Sequence, residues 1–566
     1  MKLNSGLSAS LALAITVCAR SCGPVPTVDL ANGTYYGVYN PNYEQDAFLG
    51  IPYAQPPLGD LRFLHPQPLN TTWEGRRNAT TYQTSCHNYP YPSGPLIGGK
   101  DDCLTLNVIR PAGMSSDAKL PVAIWIHGGG LVSGSNSDPR SNLSFIVEES
   151  VKIGQPIIAV SINYRLHAWG FLWSDAVNEE GLGNNGFRDQ RLAMAWVQEN
   201  IPAFGGDPEK VTIWGQSGGA RAVASQLTAF SGRDDHLFRA AVLQSGTGFI
   251  TDFGEVKPPN SVTWEEAYAS LLNKTSCEDA SDSLQCLREV PSDELAVIFG
   301  EVRFPVFLDI VDGDIVQKPR IELLRQGKFV HVPVLTGTTV DDGDYFAQQG
   351  VNTTEQWEDY LVSGGAGPAT IEALSALYPD IPRLGLPSTY EGRPEGEDAQ
   401  YGAMWKRAMA FGGDRAMQAP RRAWARLWAE AGLPIYSYRF DQVTGDRPAV
   451  LGAGHSAELA FVFGNTKGAG YTNGVGDPFV DAPEEFVMLS KQMMRRWISF
   501  FNEMDPNGGV EEGEVEWPVY ELGRAENLVF HSNYSGLAVT QPDTHRTEQF
   551  EYLNKKLWRV GMETED

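Results

Sequence analysis

Val211-Thr212-Ile213-Trp214-Gly215-Gln216-Ser217-Gly218-Gly219 runs from four β-branched or aromatic residues straight into a glycine-rich pentapeptide, and 220–230 follows with the composition of a helix. Strand, sharp turn and helix in that order predict a nucleophile elbow. In the pattern GxSxG the serine sits on a turn so tight that its neighbours crowd, and glycine two residues to either side relieves the clash. Many glycine-rich loops match the pentapeptide alone. Its place between a strand and a helix is what points to Ser217 as a nucleophile.

Working outward, 120–126, 156–162 and 332–335 are short apolar runs that read as further buried parallel strands. Strands alternating with helices predict a doubly wound α/β sheet, whose ligands bind beyond the carboxyl ends of the strands. The first of these ends carries His127-Gly128-Gly129-Gly130. Such a turn aims backbone N–H groups at the oxyanion of an acyl-transfer intermediate, so Gly129, Gly130 and the N–H of Gly218 are the candidate donors. A serine hydroxyl also needs a base and an acid behind that base, and in this fold both follow the nucleophile, acid first. His236, His331, His455, His531 and His545 all follow Ser217. His455 stands out in Gly452-Ala453-Gly454-His455-Ser456, a loop suited to presenting an imidazole over a sheet edge. For the acid, Asp341, Asp342 and Asp344 follow the 332–335 run and are equal candidates by chemistry.

The chain has 566 residues with 44 Lys and Arg against 70 Asp and Glu, a net charge of −26. That field repels phosphate backbones and anionic membranes, so nucleic acid is an unsuitable partner. No repeat or low-complexity tract divides the sequence, and residues 20–566 are expected to form one catalytic domain. Residues 1–19 read as a signal peptide, basic at Lys2 and apolar over Leu7 to Val17, and Ser21 with Gly23 offers a second cleavage site as late as residue 23. The apolar run is far shorter than the ~20 residues of a spanning helix, so no stable membrane anchor is expected. Export makes Cys86, Cys103, Cys277 and Cys286 an even set, with proximity favouring Cys86–Cys103 and Cys277–Cys286 pairs. It also opens seven sequons to N-linked glycans: Asn32, Asn70, Asn78, Asn142, Asn273, Asn352 and Asn533. Neither a metal nor an organic cofactor is implied. Gly181 to Gly186 fits GxGxxG, but neither an apolar strand before it nor a helical pattern after it supports a dinucleotide site. Asp505 to Glu512 lacks the spacing of a calcium loop.

Longer motifs resemble one family. Phe48-Leu49-Gly50-Ile51-Pro52-Tyr53-Ala54, with Pro56-Pro57-Leu58-Gly59 and Leu61-Arg62-Phe63, is similar to the N-terminal signature of type-B carboxylesterases, the group that includes cholinesterases and fungal secreted lipases. Asp102-Cys103-Leu104-Thr105-Leu106-Asn107 resembles their cysteine signature, and Asn200-Ile201 through Phe204-Gly205-Gly206-Asp207-Pro208 matches the segment before the elbow. The resemblance implies the α/β-hydrolase fold, a large mostly parallel sheet flanked by helices, with both disulfides where the family places them. It assigns the nucleophile to Ser217, the acid to Asp342 and the base to His455, which precedes Glu458 and Phe461-Val462-Phe463-Gly464. The elbow departs from the family's Gly-Glu-Ser-Ala-Gly at Gln216 and Gly218, and the acid is Asp where the family usually has Glu.

The implied activity is hydrolysis of carboxylic esters by a secreted, extracellular serine hydrolase, a monomer or weak homo-oligomer. Two alternatives stand beside a small-ester esterase: a triacylglycerol lipase or sterol esterase, and a non-catalytic adhesion module, which typically lacks the nucleophile. The short Cys86 to Cys103 segment, rich in Asn, Tyr, Pro, Gly and Ser, does not resemble the amphipathic lid of interfacially activated lipases. It holds Tyr89 and Tyr91 but no tryptophan for a quaternary ammonium. Arg303-Phe304-Pro305 falls where the family places its acyl-pocket wall; Arg303 is either a solvated surface residue, the commoner fate, or a bidentate partner for a substrate carboxylate.

Overall fold

Short β-branched runs buried on both faces make strands that carry a core on each side. In the computed structural model, which describes residues 25–559 apart from 92–93, 249–252, 446 and 472–475, such strands fill the middle of an eleven-stranded sheet whose two edge strands are partly exposed. The eleven are β1 (Val38–Asn40), β2 (Gln45–Pro52), β3 (Thr105–Pro111), β4 (Leu120–Ile126), β5 (Ile158–Ile162), β6 (Gly206–Gln216), β7 (Ala240–Gln244), β8 (Val334–Thr339), β9 (Ile435–Phe440), β10 (Glu526–Phe530) and β11 (Ala538–Pro542). Their order is β11-β10-β9-β8-β7-β6-β4-β5-β3-β2-β1. From β5 to β10 every neighbour is parallel. At the edges β3, β2 and β1 on one side and β11 on the other run antiparallel. This is the α/β-hydrolase fold. The expected signal peptide lies outside the described residues.

Alternation along the strands sorts the core into two layers. Val122, Ile124, Ile126, Val211 and Ile213 face one side, where α1 (Asn185–Asn200), α2 (Gly218–Thr228) and α3 (Ala419–Glu430) add Phe187, Met194, Ala222, Val223 and Trp424. Trp125, Trp214, Val242, Tyr438 and Phe440 face the other, under α4 (Glu484–Glu503) with its Leu489, Met493, Trp497 and Phe501. Helix α1 corrects one expectation: it opens at Asn185, at the end of the GxGxxG match, although no strand precedes that match. The charged residues of α1 concealed its apolar face from a composition reading. Both disulfides pair as proximity suggested, Cys86 with Cys103 and Cys277 with Cys286.

Strand β6 runs into α2, and the turn between them is extreme. Ser217 has φ 55° and ψ −122°. A methyl group on Gly215 would lie 2.4 Å from the Gly219 carbonyl, and one on Gly219 would lie 2.0 Å from the Ile126 oxygen at the end of β4. No other residue fits either position, which is why glycine brackets the serine.

Candidate active site

Every reactive group sits at the carboxyl end of the parallel strands. The Ser217 N–H donates to the Gln244 carbonyl at the end of β7 (2.9 Å), which holds the turn while the hydroxyl projects above the sheet. Helix α2 starts immediately after, so its positive end faces the same space. His455 Nε2 lies 2.9 Å from Ser217 Oγ, and its Nδ1 lies 2.6 Å from Asp342 Oδ1. Asp342 is fully buried and accepts two more bonds on Oδ2, from Ser245 Oγ and the Thr339 N–H, both at 3.1 Å. Three hydrogen bonds converge on this carboxyl group and fix its plane.

The two remaining acids of the 341–344 run hold the histidine loop. Asp341 Oδ2 accepts the Ala453 N–H at 2.9 Å, and Asp344 Oδ1 accepts the His455 N–H at 2.7 Å. Asp344 is in turn paired with Arg447. Tyr345 and Phe346 pack on the imidazole, with ring centroids 5.3 and 5.1 Å away. Chemistry alone left the three aspartates equal because all three are used: one faces the ring and two fix the backbone that carries it. Burial pushes Asp341 up to about 8, and burial with Asp342 nearby pushes Glu458 up to about 8 as well. Both are therefore largely protonated at neutral pH, and Asp342 is the acid that faces the imidazole. None of the other four histidines is bonded to Ser217; His236 and His331, for instance, are exposed.

Beyond β4, Gly129 and Gly130 take left-handed φ values of 108° and 63° and wrap the chain in front of Gly218. The approach is close: a methyl group on Gly218 would lie 2.8 Å from the Gly130 nitrogen. Glycine at 218 therefore accompanies a 129–130 turn drawn tightly onto the nucleophile. The support for that turn was not foreseen. His127 is buried, with its ring on Tyr164 (4.6 Å) and its Nδ1 on the Gly128 carbonyl (2.9 Å), and burial lowers its pKa to about 4, so it stays neutral. From the Cys86–Cys103 loop, Asn88 Oδ1 accepts the Gly134 N–H (2.5 Å) and the Tyr89 N–H donates to the Val132 carbonyl (2.9 Å). At the other departure from the family's elbow, Gln216 donates to Ser456 Oγ (2.8 Å), tying the elbow to the histidine loop.

Two cavities meet at Ser217. The larger, about 930 Å³, is lined by His455, Gln216, Gly128 to Gly130, Tyr345, Leu451 and Tyr471. The smaller, about 30 Å³, lies beyond Gly130 and Gly218 and is lined by Tyr91, Arg221, Thr247, Phe307 and Phe346. Of the residues expected in a substrate pocket only Tyr91 is there. Tyr89 is fully buried beneath it, donating to the Ala296 carbonyl (3.0 Å) and stacked 4.1 Å from His167. Phe304 is buried against the same histidine (5.2 Å), and Phe307 from its segment reaches the cavity instead. Arg303 is exposed and lines neither cavity. Arg140 and Arg447 line the larger cavity, and Arg221, which carries no family signature, lines the smaller.

An α/β-hydrolase sheet with a serine at the strand-to-helix turn and an imidazole over it defines the broad class. The particular family follows from comparison: the chain belongs to the Carboxylesterase family, whose profile matches residues 24–551. It is 34% identical to "Lipase 1" of Geotrichum candidum over 86% of this chain and 88% of that one. It is 33% identical to "Lipase 4" of Diutina rugosa over 97% and 98%. The crystal structure of Aspergillus niger EstA superposes with a TM-score of 0.79 at 27% identity, covering 95% of this chain and 99% of that one. The protein is thus a hydrolase of the carboxylesterase and lipase type.

Proposed function

We propose that the protein is a secreted serine esterase that cleaves small, soluble carboxylic esters through an acyl-enzyme. The observation that carries this reading is the continuous line from Ser217 Oγ through the His455 ring to Asp342. His455 takes the serine proton as Oγ attacks the ester carbonyl. The N–H groups of Gly129, Gly130 and Gly218 hold the oxyanion, and His455 then gives its proton to the departing alcohol. Water repeats the sequence and frees the acid. Because the alcohol leaves beside the group that protonates it, the cavity containing His455 takes the alcohol and the small cavity takes the acyl group.

Residues 1–19 are proposed to be removed on export, leaving one catalytic domain. Both disulfides suit an oxidising compartment. Among the sequons Asn70, Asn78, Asn273, Asn352 and Asn533 are exposed and open to glycans, while Asn32 and Asn142 are half-buried. No helix among the described residues is long and apolar enough to cross a membrane.

The printed names of the fungal relatives favour a second reading, triacylglycerol hydrolysis. Against it stands the acyl-side cavity, whose 30 Å³ holds a few heavy atoms rather than a fatty chain. A panel of p-nitrophenyl esters from acetate to palmitate separates the two. Rates should peak at the short acids, with no jump as substrate passes its solubility limit. An organophosphate should label the enzyme but not Ser217→Ala, and labelling of that variant would refute the serine mechanism.

A further inference from the structure

Arg221 stands one helical turn after the nucleophile, its N–H bonded to the Ser217 carbonyl (2.9 Å). Positions four apart share a helix face, so its side chain rises on the side of α2 that carries the active site and lines the acyl cavity. Among the described residues no acid lines that cavity with it, and its guanidinium has neither a carboxylate nor a hydrogen-bond partner. Arg221 is half-buried, and a cation held partly out of water without a carboxylate is costly.

The surroundings sharpen the imbalance. A second arginine, Arg320, lies close enough to feel the charge of the first, and its terminal nitrogens bind Asp309, Ser225 Oγ (2.5 Å) and the Thr247 carbonyl (3.4 Å). Asp309 thus serves Arg320, and among the described residues no acid pairs with Arg221. Thr247 lines the same cavity, 3% exposed, and its hydroxyl has no hydrogen-bond partner. Burial lowers the Arg221 pKa to about 10, which leaves it a cation at neutral pH. An uncompensated cation and an unused hydroxyl meet in a space that admits only a small group.

We infer that Arg221, with Thr247, binds a carboxylate carried on the acyl half of the substrate, so that the preferred substrates are monoesters of short dicarboxylic acids such as malonate and succinate. The inference rests on the proposed esterase reading and names its substrate class. The anion supplies the charge that the site lacks, and the fork of the guanidinium fixes its plane. A neutral acyl chain of equal length leaves both groups desolvated and unpaired. A site built around such groups rejects the analogue lacking its partner far more strongly than an apolar pocket rejects a missing methylene.

The test compares four esters on the full-length enzyme: methyl butyrate against monomethyl succinate, with its carboxylate on the acyl side, and methyl acetate against carboxymethyl acetate, with its carboxylate on the alcohol side. For the wild type, kcat/KM for the succinate monoester should exceed that for butyrate by at least ~30-fold, and carboxymethyl acetate should gain nothing over methyl acetate. In Arg221→Met the succinate-to-butyrate ratio should fall by about 100-fold, with Arg221→Lys intermediate because an ammonium keeps charge but not the fork. As a measurement independent of any variant, malonate and succinate should inhibit the wild type competitively and their diamides should not. Brisk butyrate hydrolysis with no preference for the acyl-side anion, or a ratio unmoved in Arg221→Met, overturns this inference and leaves the esterase reading intact. Failure of the wild type to hydrolyse any of these esters or p-nitrophenyl acetate, and to react with an organophosphate, overturns both.

Discussion

Replacing Asp342 with Asn tests the acid behind His455 most sharply. The carboxylate accepts His455 Nδ1 at 2.6 Å on one oxygen, and Ser245 Oγ and the Thr339 N–H, each at 3.1 Å, on the other. An amide has one accepting oxygen and one donating nitrogen, so it can sit two ways. With nitrogen in the Oδ2 position the serine hydroxyl can turn to accept, but the Thr339 N–H loses its acceptor in a dry site, a penalty of ~1–3 kcal/mol. With nitrogen in the Oδ1 position both Oδ2 bonds survive, and the amide donates to His455 Nδ1. The imidazole then carries its proton on Nε2, pointing at Ser217 Oγ, and cannot take the serine proton. A preference of about 2 kcal/mol for that second arrangement leaves roughly one molecule in thirty productive. The productive molecules have also lost the charge opposite the imidazolium, worth ~1.5–3 kcal/mol as a charge-assisted bond. Together these lower kcat by about 400- to 5,000-fold, approaching the loss of about 10⁴ known for the same change in a serine protease. The assay is steady-state hydrolysis of p-nitrophenyl acetate, with thermal unfolding as the control for folding. A folded Asp342→Asn enzyme within tenfold of the wild type would refute the assignment.

Stability should respond to the buried charges in opposite senses. Burial raises Asp543, but Arg421 and Arg422 together hold its carboxyl well below the usual range, through bonds of 2.7 to 3.0 Å; Asp543→Asn strands both arginines and should cost ~3–5 kcal/mol by urea unfolding. Asp341 and Glu458, both raised to about 8, keep their protons in the folded state where the unfolded chain has released them. Stability from these acids is therefore lost as pH rises from about 4 to about 8, so Tm should fall across that window, and Asp341→Asn should gain on the wild type between pH 5 and pH 9. A Tm difference that does not change with pH would refute this. The Cys86–Cys103 bridge closes a 17-residue separation, worth ~3 kcal/mol, and its loop braces the 129–134 turn. Replacing both cysteines with serine should lower the unfolding midpoint and kcat together; a lowered midpoint with unchanged kcat would show that the turn stands without the loop.

What could be read from the chain is what local sequence controls. The elbow at 215–219 is legible because a strand, a forced turn and a helix are contiguous, and the glycine spacing follows from clashes within a few residues. The 127–130 turn is legible for the same reason. The antiparallel edge strands β1 to β3 were not separated from loops, since their pairing depends on partners many residues away. Tyr89 and Tyr91 could not be told apart: in a loop without a period, nothing says that one goes under the turn and the other over the cavity. Arg221 did carry a signal. It is the one charged residue in Gly218-Gly219-Ala220-Arg221-Ala222-Val223-Ala224, four places after the nucleophile, where a helix returns to the same face. Arg303 occupies the place where the family pattern puts its acyl-pocket wall, yet solvent rather than the site receives it.

The unequal cavities have a consequence for chemistry in mixed solvents. Once Ser217 carries the acyl group and the alcohol has gone, the 930 Å³ space beside His455 is open to any nucleophile small enough to enter, while the acyl side stays closed around its cargo. Dissolved alcohols then compete with water for the same carbonyl, and new esters form alongside free acid. The division between the two products is set after the original alcohol has departed, so donors sharing one acid must all divide alike, whatever they were esterified to.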